Sequence, residues 1–349
     1  MTLSTGSTAE RDQGRPAAGE RDPGRAARRP AVRAWLQPTL ISLIVVAAFI
    51  ACYAGLQRDP RPHQVPVAVT GPSLPGEIQQ ALGDAVEVHP AADAATARRA
   101  LERHEVVAVL AAPEPGRLDL EIAGAAGAST TSAVSGLVDA YAHGAGMHVT
   151  TADVIPLVEH DARGLAGFYM AFGVSLAGFV LGSNVLGLAG VMRLRQRFLL
   201  LAGASAAIGA VAAVVVGPVL DVAPAPLLPL TFVLALLAAA AAFTTTLLGT
   251  VLGPVGLPVT TLVLLTVGNA TSGAVIGADL LPAGARAVSA LLPPGAAVRA
   301  IADLSYFDGA HLAGPVITLA LWAAVAAVLL ALRPRLMRRG AAGATAAAH

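Results

Sequence analysis

The chain has 349 residues, 55% of them hydrophobic and only 13% charged, a balance that excludes an ordinary soluble globule. Its formal net charge of +1 says little alone, because the placement of the charges carries the meaning. All 23 basic residues are arginine, so the lysine that a Walker A loop needs is missing and ATP cannot be bound in that way.

In chain order, residues 1–34 are rich in Gly, Pro, Ala and Arg, with a few interleaved acids, and read as a disordered basic cytoplasmic tail. The absence of Lys with the abundance of Ala, Gly and Pro suggests a GC-rich bacterial genome. The first uncharged apolar stretch, Leu36–Leu56, is about 21 residues long and lacks a small-x-small cleavage site before Arg58, so residues 35–56 read as an uncleaved anchor. The single cysteine, Cys52, lies inside it and rules out an intrachain disulfide.

Residues 57–163 carry most of the acidic side chains and alternate strand and helix signals. Strands are expected at Val65–Val69, Ala85–Val88, Val106–Leu110, Arg117–Ile122 and Val149–Leu157. Helices are expected at Pro75–Leu82, Ala91–Arg103 and Thr130–Tyr141, with Ser129-Thr130-Thr131-Ser132 as the cap of the last. The pattern predicts a small α/β domain with a mostly parallel sheet. Six histidines (His63, His89, His104, His143, His148, His160) are scattered through it without a metal-ligand spacing. No catalytic constellation, metal or cofactor is expected, and no enzyme.

Four further apolar stretches follow, Gly164–Met192, Phe198–Leu220, Val222–Ala278 and Gly314–Leu332, none containing Asp, Glu, Arg or His. The third of these is too long for one crossing and breaks at Gly253-Pro254-Val255-Gly256-Leu257-Pro258. Six spans result, each near the roughly 20 residues that a bilayer core requires. The fold class is thus an α-helical polytopic membrane protein of six transmembrane helices, with the α/β domain between helices 1 and 2. Residues 164–335 form a five-helix membrane domain, and 336–349 a second cytoplasmic tail.

Arginines orient the spans. Seven precede the first span, Arg193, Arg195 and Arg197 follow the second, and Arg333, Arg335, Arg338 and Arg339 follow the last. The positive-inside rule puts both termini in the cytoplasm of a plasma-membrane protein, with residues 57–163 external.

Polar residues inside the spans include Asn184, Asn269 and Thr245, candidates for helix packing or for lining a cargo path. The spacings Gly178/Gly182 and Gly273/Gly277 allow close helix approach. The segment 279–313 mixes apolar patches with Pro293, Pro294, Arg299, Tyr306 and Phe307, and reads as a re-entrant or interfacial element.

These pieces together resemble the membrane subunit of ABC type-2 exporters and the related phage-infection-protein group. The matching parts are the Val65–Gly71 strand, the Ala91–Val109 helix-strand unit, Asp161-Ala162-Arg163-Gly164 with Phe168-Tyr169, and Leu292-Pro293-Pro294 with Tyr306-Phe307-Asp308-Gly309. The resemblance implies a permease that forms a homodimer or heterodimer and moves hydrophobic or amphipathic cargo. A separate ATPase subunit would drive it, touching Arg193, Arg195 and Arg197; no nucleic acid is expected as a partner. That arginine loop is shorter than the coupling helix many members carry. Its shortness favours a second reading, a non-transporting scaffold or surface receptor whose external domain binds a protein, phage or wall component.

Overall fold

The computed structural model describes residues 23–58 and 60–346, with side chains from Trp35 to Arg333 apart from position 59. Most of the N-terminal tail lies outside the described residues, as do the last three positions. The chain divides into two compact units, one ending at Ile44 and the other running from Val45 onward.

Helix α1 spans Pro23–Gln57, beginning well before the expected anchor. In the N-terminal unit, Thr39 and Ser42 donate their hydroxyls to the carbonyls of Trp35 and Pro38, at 2.8 and 2.9 Å. Both polar groups are thereby satisfied within the helix, as an apolar surrounding requires.

The α/β domain begins with β1 (Val65–Thr70), α2 (Leu74–Leu82), β2 (Val86–Ala91), α3 (Ala94–Glu102) and β3 (Ala108–Glu114). It continues with β4 (Arg117–Ile122), α4 (Ala128–Ala145) and β5 (His148–Asp153). The sheet order is β2-β1-β3-β4-β5, and every pairing is parallel except β3–β4. That exception has a local cause. Only Pro115 and Gly116 join the two strands, Gly116 sits at φ +83°, and so short a connection can only return the chain antiparallel.

Alternation along β1 divides the core. Val65, Val67 and Val69 face α2 and α4, packing with Ile78, Val134 and Val138. Ala68 points to the other face, where Ala97 and Leu101 of α3 meet Phe307 from the far end of the chain.

The helical part comprises α5 (Ala166–Gly187), α6 (Leu194–Val214, continued by π-helical Val215–Val219), α7 (Leu227–Leu252) and α8 (Gly256–Thr260, continued by π-helical Thr261–Gly268). Helices α9 (Ala283–Leu291), α10 (Pro293–Tyr306) and α11 (Ala313–Ala346) complete it. Helix α7 is central and touches α5, α6, α10 and α11. Small residues permit the close approach. A Cβ at Gly178 would lie 2.6 Å from Ala238 O, and one at Gly182 would lie 2.7 Å from Thr245 Cβ. On the α6 side, a Cβ at Gly209 would meet Thr231 O at 2.7 Å. The Gly178/Gly182 spacing is therefore a packing surface. Gly273 and Gly277 lie outside any long helix, with Gly273 at φ +86°; they form no crossing of two long helices, but a Cβ at Gly277 would run into Thr130 of α4.

Five helical stretches are long and apolar enough to cross a membrane: Trp35–Gln57, Ala166–Gly190, Leu194–Val219, Leu227–Gly268 and Ala313–Arg333. A sixth arises if α9 and α10, bent by 80° at their junction, are counted as one broken span. The long fourth stretch does turn where its glycines and prolines predict. Gly253 adopts φ +61°, and Gly256 packs against Leu248 O, so α8 runs back along α7. The returning arm loses helical structure after Ala270, short of a full-length partner for α7.

Candidate functional site

The α/β domain is joined to the helices through α10. The expected re-entrant segment is a pair of helices, and the second is buried along most of its length, from Pro293 through Ala300 and Ile301 to Leu304. Pro293 and Pro294 occupy the first turn of α10, where the missing N–H groups cost nothing. Arg299 donates to the carbonyls of Ser289 and Ala290 at 3.3 and 3.4 Å, and Trp322 of α11 donates from Nε1 to Leu291 O at 2.8 Å. Three of the last carbonyls of α9, which no intrahelical N–H can reach, are thus held by two side chains from other helices. The elbow is a built feature.

At its C-terminal end α10 delivers Tyr306 and Phe307 into the α/β domain's second core, where Phe307 is buried. His104, at φ +58° just beyond α3, stacks on the Phe307 ring with centroids 4.0 Å apart and planes at 7°. Its Nδ1 lies 3.0 Å from the buried Asp303 carboxylate. Nearby, His63 N donates to Asp279 O at 3.0 Å, and Arg286 donates to His63 O at 2.8 Å. Burial pushes the Asp279 carboxyl above its ordinary value, opposed by the neighbouring Arg286 and His104 charges. Ser129 does not cap α4, whose first residue is Ala128; its hydroxyl instead accepts from Gly277 N at 2.8 Å. Tyr306 completes the joint by accepting from Val158 N at 3.4 Å.

Beside this joint, a cavity of about 700 Å³ opens between α5 and α6. Gly173 and Ala177 of α5 face Ala207 and Ala212 of α6, and these small residues leave the space. Tyr169, Met170, Val211 and Val215 supply apolar walls, and the π-helical turn of α6 widens its end. Polar groups occur only where the cavity nears the α/β domain, at His160 and Asp161. The Asp161 carboxylate accepts from Leu165 N at 2.9 Å and from Ala166 N at 3.1 Å, capping α5. His160 Nδ1 lies 4.0 Å from the exposed Asp221 carboxylate at the end of α6. A smaller hollow of about 90 Å³ beneath the α/β domain shares Asp161, Ala166, Met170 and Val222 with the cavity and continues to α10. A further apolar cavity of about 500 Å³ lies among α7, α8 and α11, lined by Leu247, Val263 and Trp322.

The expected polar residues are not brought together. Asn184 is exposed on α5 and donates to Val180 O of its own helix at 2.9 Å, so the amide reaches no second helix. Thr245 is fully buried at the Gly182 crossing and donates to Ala241 O at 2.7 Å, a packing role. Asn269 is buried beyond α8 and donates to Leu264 O at 3.0 Å, while its Oδ1 has no partner among the described residues. None of the three lines the α5–α6 cavity. Arg193 and Arg195 are exposed and Arg197 is half-buried at the α5–α6 turn, the end of these helices remote from the α/β domain. Among the described residues, no group of three or more His, Cys, Asp or Glu side chains is placed to hold a metal ion.

The cavity residues were missed in the sequence because Gly173, Ala177, Ala207 and Ala212 look like ordinary span residues. The one available signal was Gly217-Pro218 near the end of α6, which marks the π-helical turn. Comparison of the chain with protein-family models, curated proteins and solved structures finds no match in any of the three.

Proposed function

We propose that the protein is a permease-like membrane subunit that moves hydrophobic or amphipathic cargo, in the manner of ABC type-2 exporters. The observation that carries this reading is the apolar α5–α6 cavity of about 700 Å³, within the size range of small-molecule sites and continuous in its lining with the hollow under the α/β domain. In this reading the chain crosses the membrane six times, with residues 57–163 external and both termini cytoplasmic. The arginine distribution supports that orientation. The absence of acidic and basic side chains from the apolar stretches suits greasy cargo and offers no site for ion coupling, so a separate ATPase supplies the energy at the Arg193–Arg197 turn of a dimer.

The brevity of the Leu188–Arg193 connection between α5 and α6 favours one alternative, a scaffold or receptor without transport. Co-purification of the tagged chain from its native host in mild detergent, followed by mass spectrometry, separates the two. The permease reading expects a stoichiometric ATPase whose recovery falls in an Arg193→Glu/Arg195→Glu variant. Recovery of surface or wall proteins without any ATPase would sink it.

A further inference from the structure

We propose, building on the cargo reading, that the α5–α6 cavity takes an amphiphile with a cationic head, a long-chain amine or quaternary ammonium. The hydrocarbon tail lies between the helices, and the head lies at the end near Asp161 and Asp221. The shape sets the tail. From Tyr169 through Gly173 to Ala177 the α5 wall runs about 12 Å at 1.5 Å per residue, and the facing α6 wall is apolar throughout. A tail can be buried along that length without desolvating any polar group.

The charges at the mouth set the sign of the head. Two carboxylates stand there, Asp161 in the lining and Asp221 4.0 Å from the lining residue His160, and the exposed Glu159 precedes Asp161 by two positions in the chain. Asp161 accepts hydrogen bonds from the first N–H groups of α5, while the Asp221 side chain is 82% exposed and open to a ligand. Tyr169 adds an aromatic side chain to the same lining; the residue is 65% exposed and lies one turn beyond Leu165, whose N–H the Asp161 carboxylate caps. A cation beside carboxylates and over a tyrosine face is attracted by both, whereas an anionic head meets repulsion from the carboxylates. The site thus discriminates by charge at one end and accepts hydrocarbon at the other.

The test uses the full chain in maltoside micelles, photolabelled with a diazirine-bearing dodecyl trimethylammonium or the matched dodecyl sulfate. Adducts are located by peptide mass spectrometry. The cationic probe is expected to label α5 and α6 about fivefold more than the sulfate, the scale of one or two exposed charge contacts. An Asp221→Asn/Glu159→Gln variant should lose most of that preference, and added salt should weaken it in the parent chain. Gly173→Phe should abolish labelling by both probes; a Cβ at Gly173 meets nothing within 4 Å, so the ring fills the cavity without breaking a helix contact. Equal labelling by the two probes, still lost in Gly173→Phe, overturns the cationic head and leaves the cargo cavity standing. Labelling unaffected by Gly173→Phe, or disulfide trapping of Val211→Cys to a second copy, overturns the cavity as a cargo site altogether.

Discussion

His104 and Asp303 lie 199 positions apart in the chain, yet the imidazole Nδ1 and the carboxylate oxygen are 3.0 Å apart. The contact ties the turn after α3 to the last turn of α10, the helix that runs beside α5, α7 and α11. With Phe307 stacked on the same imidazole, it makes the α/β domain and α10 one mechanical piece. A displacement of the domain therefore has to move α10 or break this joint.

Removing the joint should release the domain. Phe307→Ala deletes a buried ring and is expected to cost about 3–5 kcal/mol of local stability. Asp303→Ala, which leaves His104 without its carboxylate, should cost about 1–3 kcal/mol. Amide hydrogen exchange checks both. Protection should fall in α3 and α10 while α6 keeps its rates, and unchanged protection at α3 would contradict the coupling.

The glycines of α5 should not be equivalent. Gly178→Leu and Gly182→Leu must force α5 away from α7, where overpacking costs about 1–3 kcal/mol or more. Gly173→Ala meets open space and should leave thermal stability in detergent within about 0.5 kcal/mol. Equal losses at all three positions would contradict the crossing geometry.

At the elbow, Arg299→Met strands the carbonyls of Ser289 and Ala290, and Trp322→Phe strands that of Leu291. Each loss is expected to cost about 1–3 kcal/mol and to add when combined only in part, because the two side chains hold one helix end. Thermal melting of the singles and the double in one detergent measures that coupling.

Asp279 carries a pH signature. Burial raises its carboxyl pKa in the folded state, so folding favours the protonated form. Its contribution is fully favourable below the ordinary carboxylate value and declines as pH rises from there through the raised value. Asp279→Asn should flatten that decline, giving a melting temperature less dependent on pH across the mildly acidic range. An unchanged slope would mean that the carboxyl is not buried in solution.

The proposed orientation can be read with single cysteines. In a Cys52→Ser background, His143→Cys on the exposed face of α4 should react with an impermeant maleimide on intact cells, and Arg195→Cys only after permeabilisation. The reverse pattern would invert the topology.

Much of the α/β domain was legible from periodicity. The expected strand Arg117–Ile122 coincides with β4, and Val65–Val69 with β1 but for one residue. Ends set by turns and caps were less legible: α4 starts two residues earlier than expected, and β5 stops at Asp153 instead of continuing to Leu157. The segment after α8 was legible only as apolar and partly polar. Its division into two helices depends on Arg299 and Trp322 finding carbonyls that are remote in the sequence.

The amino-acid sequence by itself determined the long apolar stretches, their breaking point near Gly253 and the strand-helix alternation of the α/β domain. Those properties follow from local composition and from periods of two or three to four residues, which every window of the chain displays. Tertiary structure alone decided that Gly178 and Gly182 pack at a helix crossing while Gly277 packs against α4 of the α/β domain, that Asn184 faces outward, and that His104 meets Asp303. It also decided that small residues of α5 and α6 confront each other to leave a cavity. Each of these depends on which helix faces lie opposite one another, and that pairing is set by packing between segments tens to hundreds of residues apart.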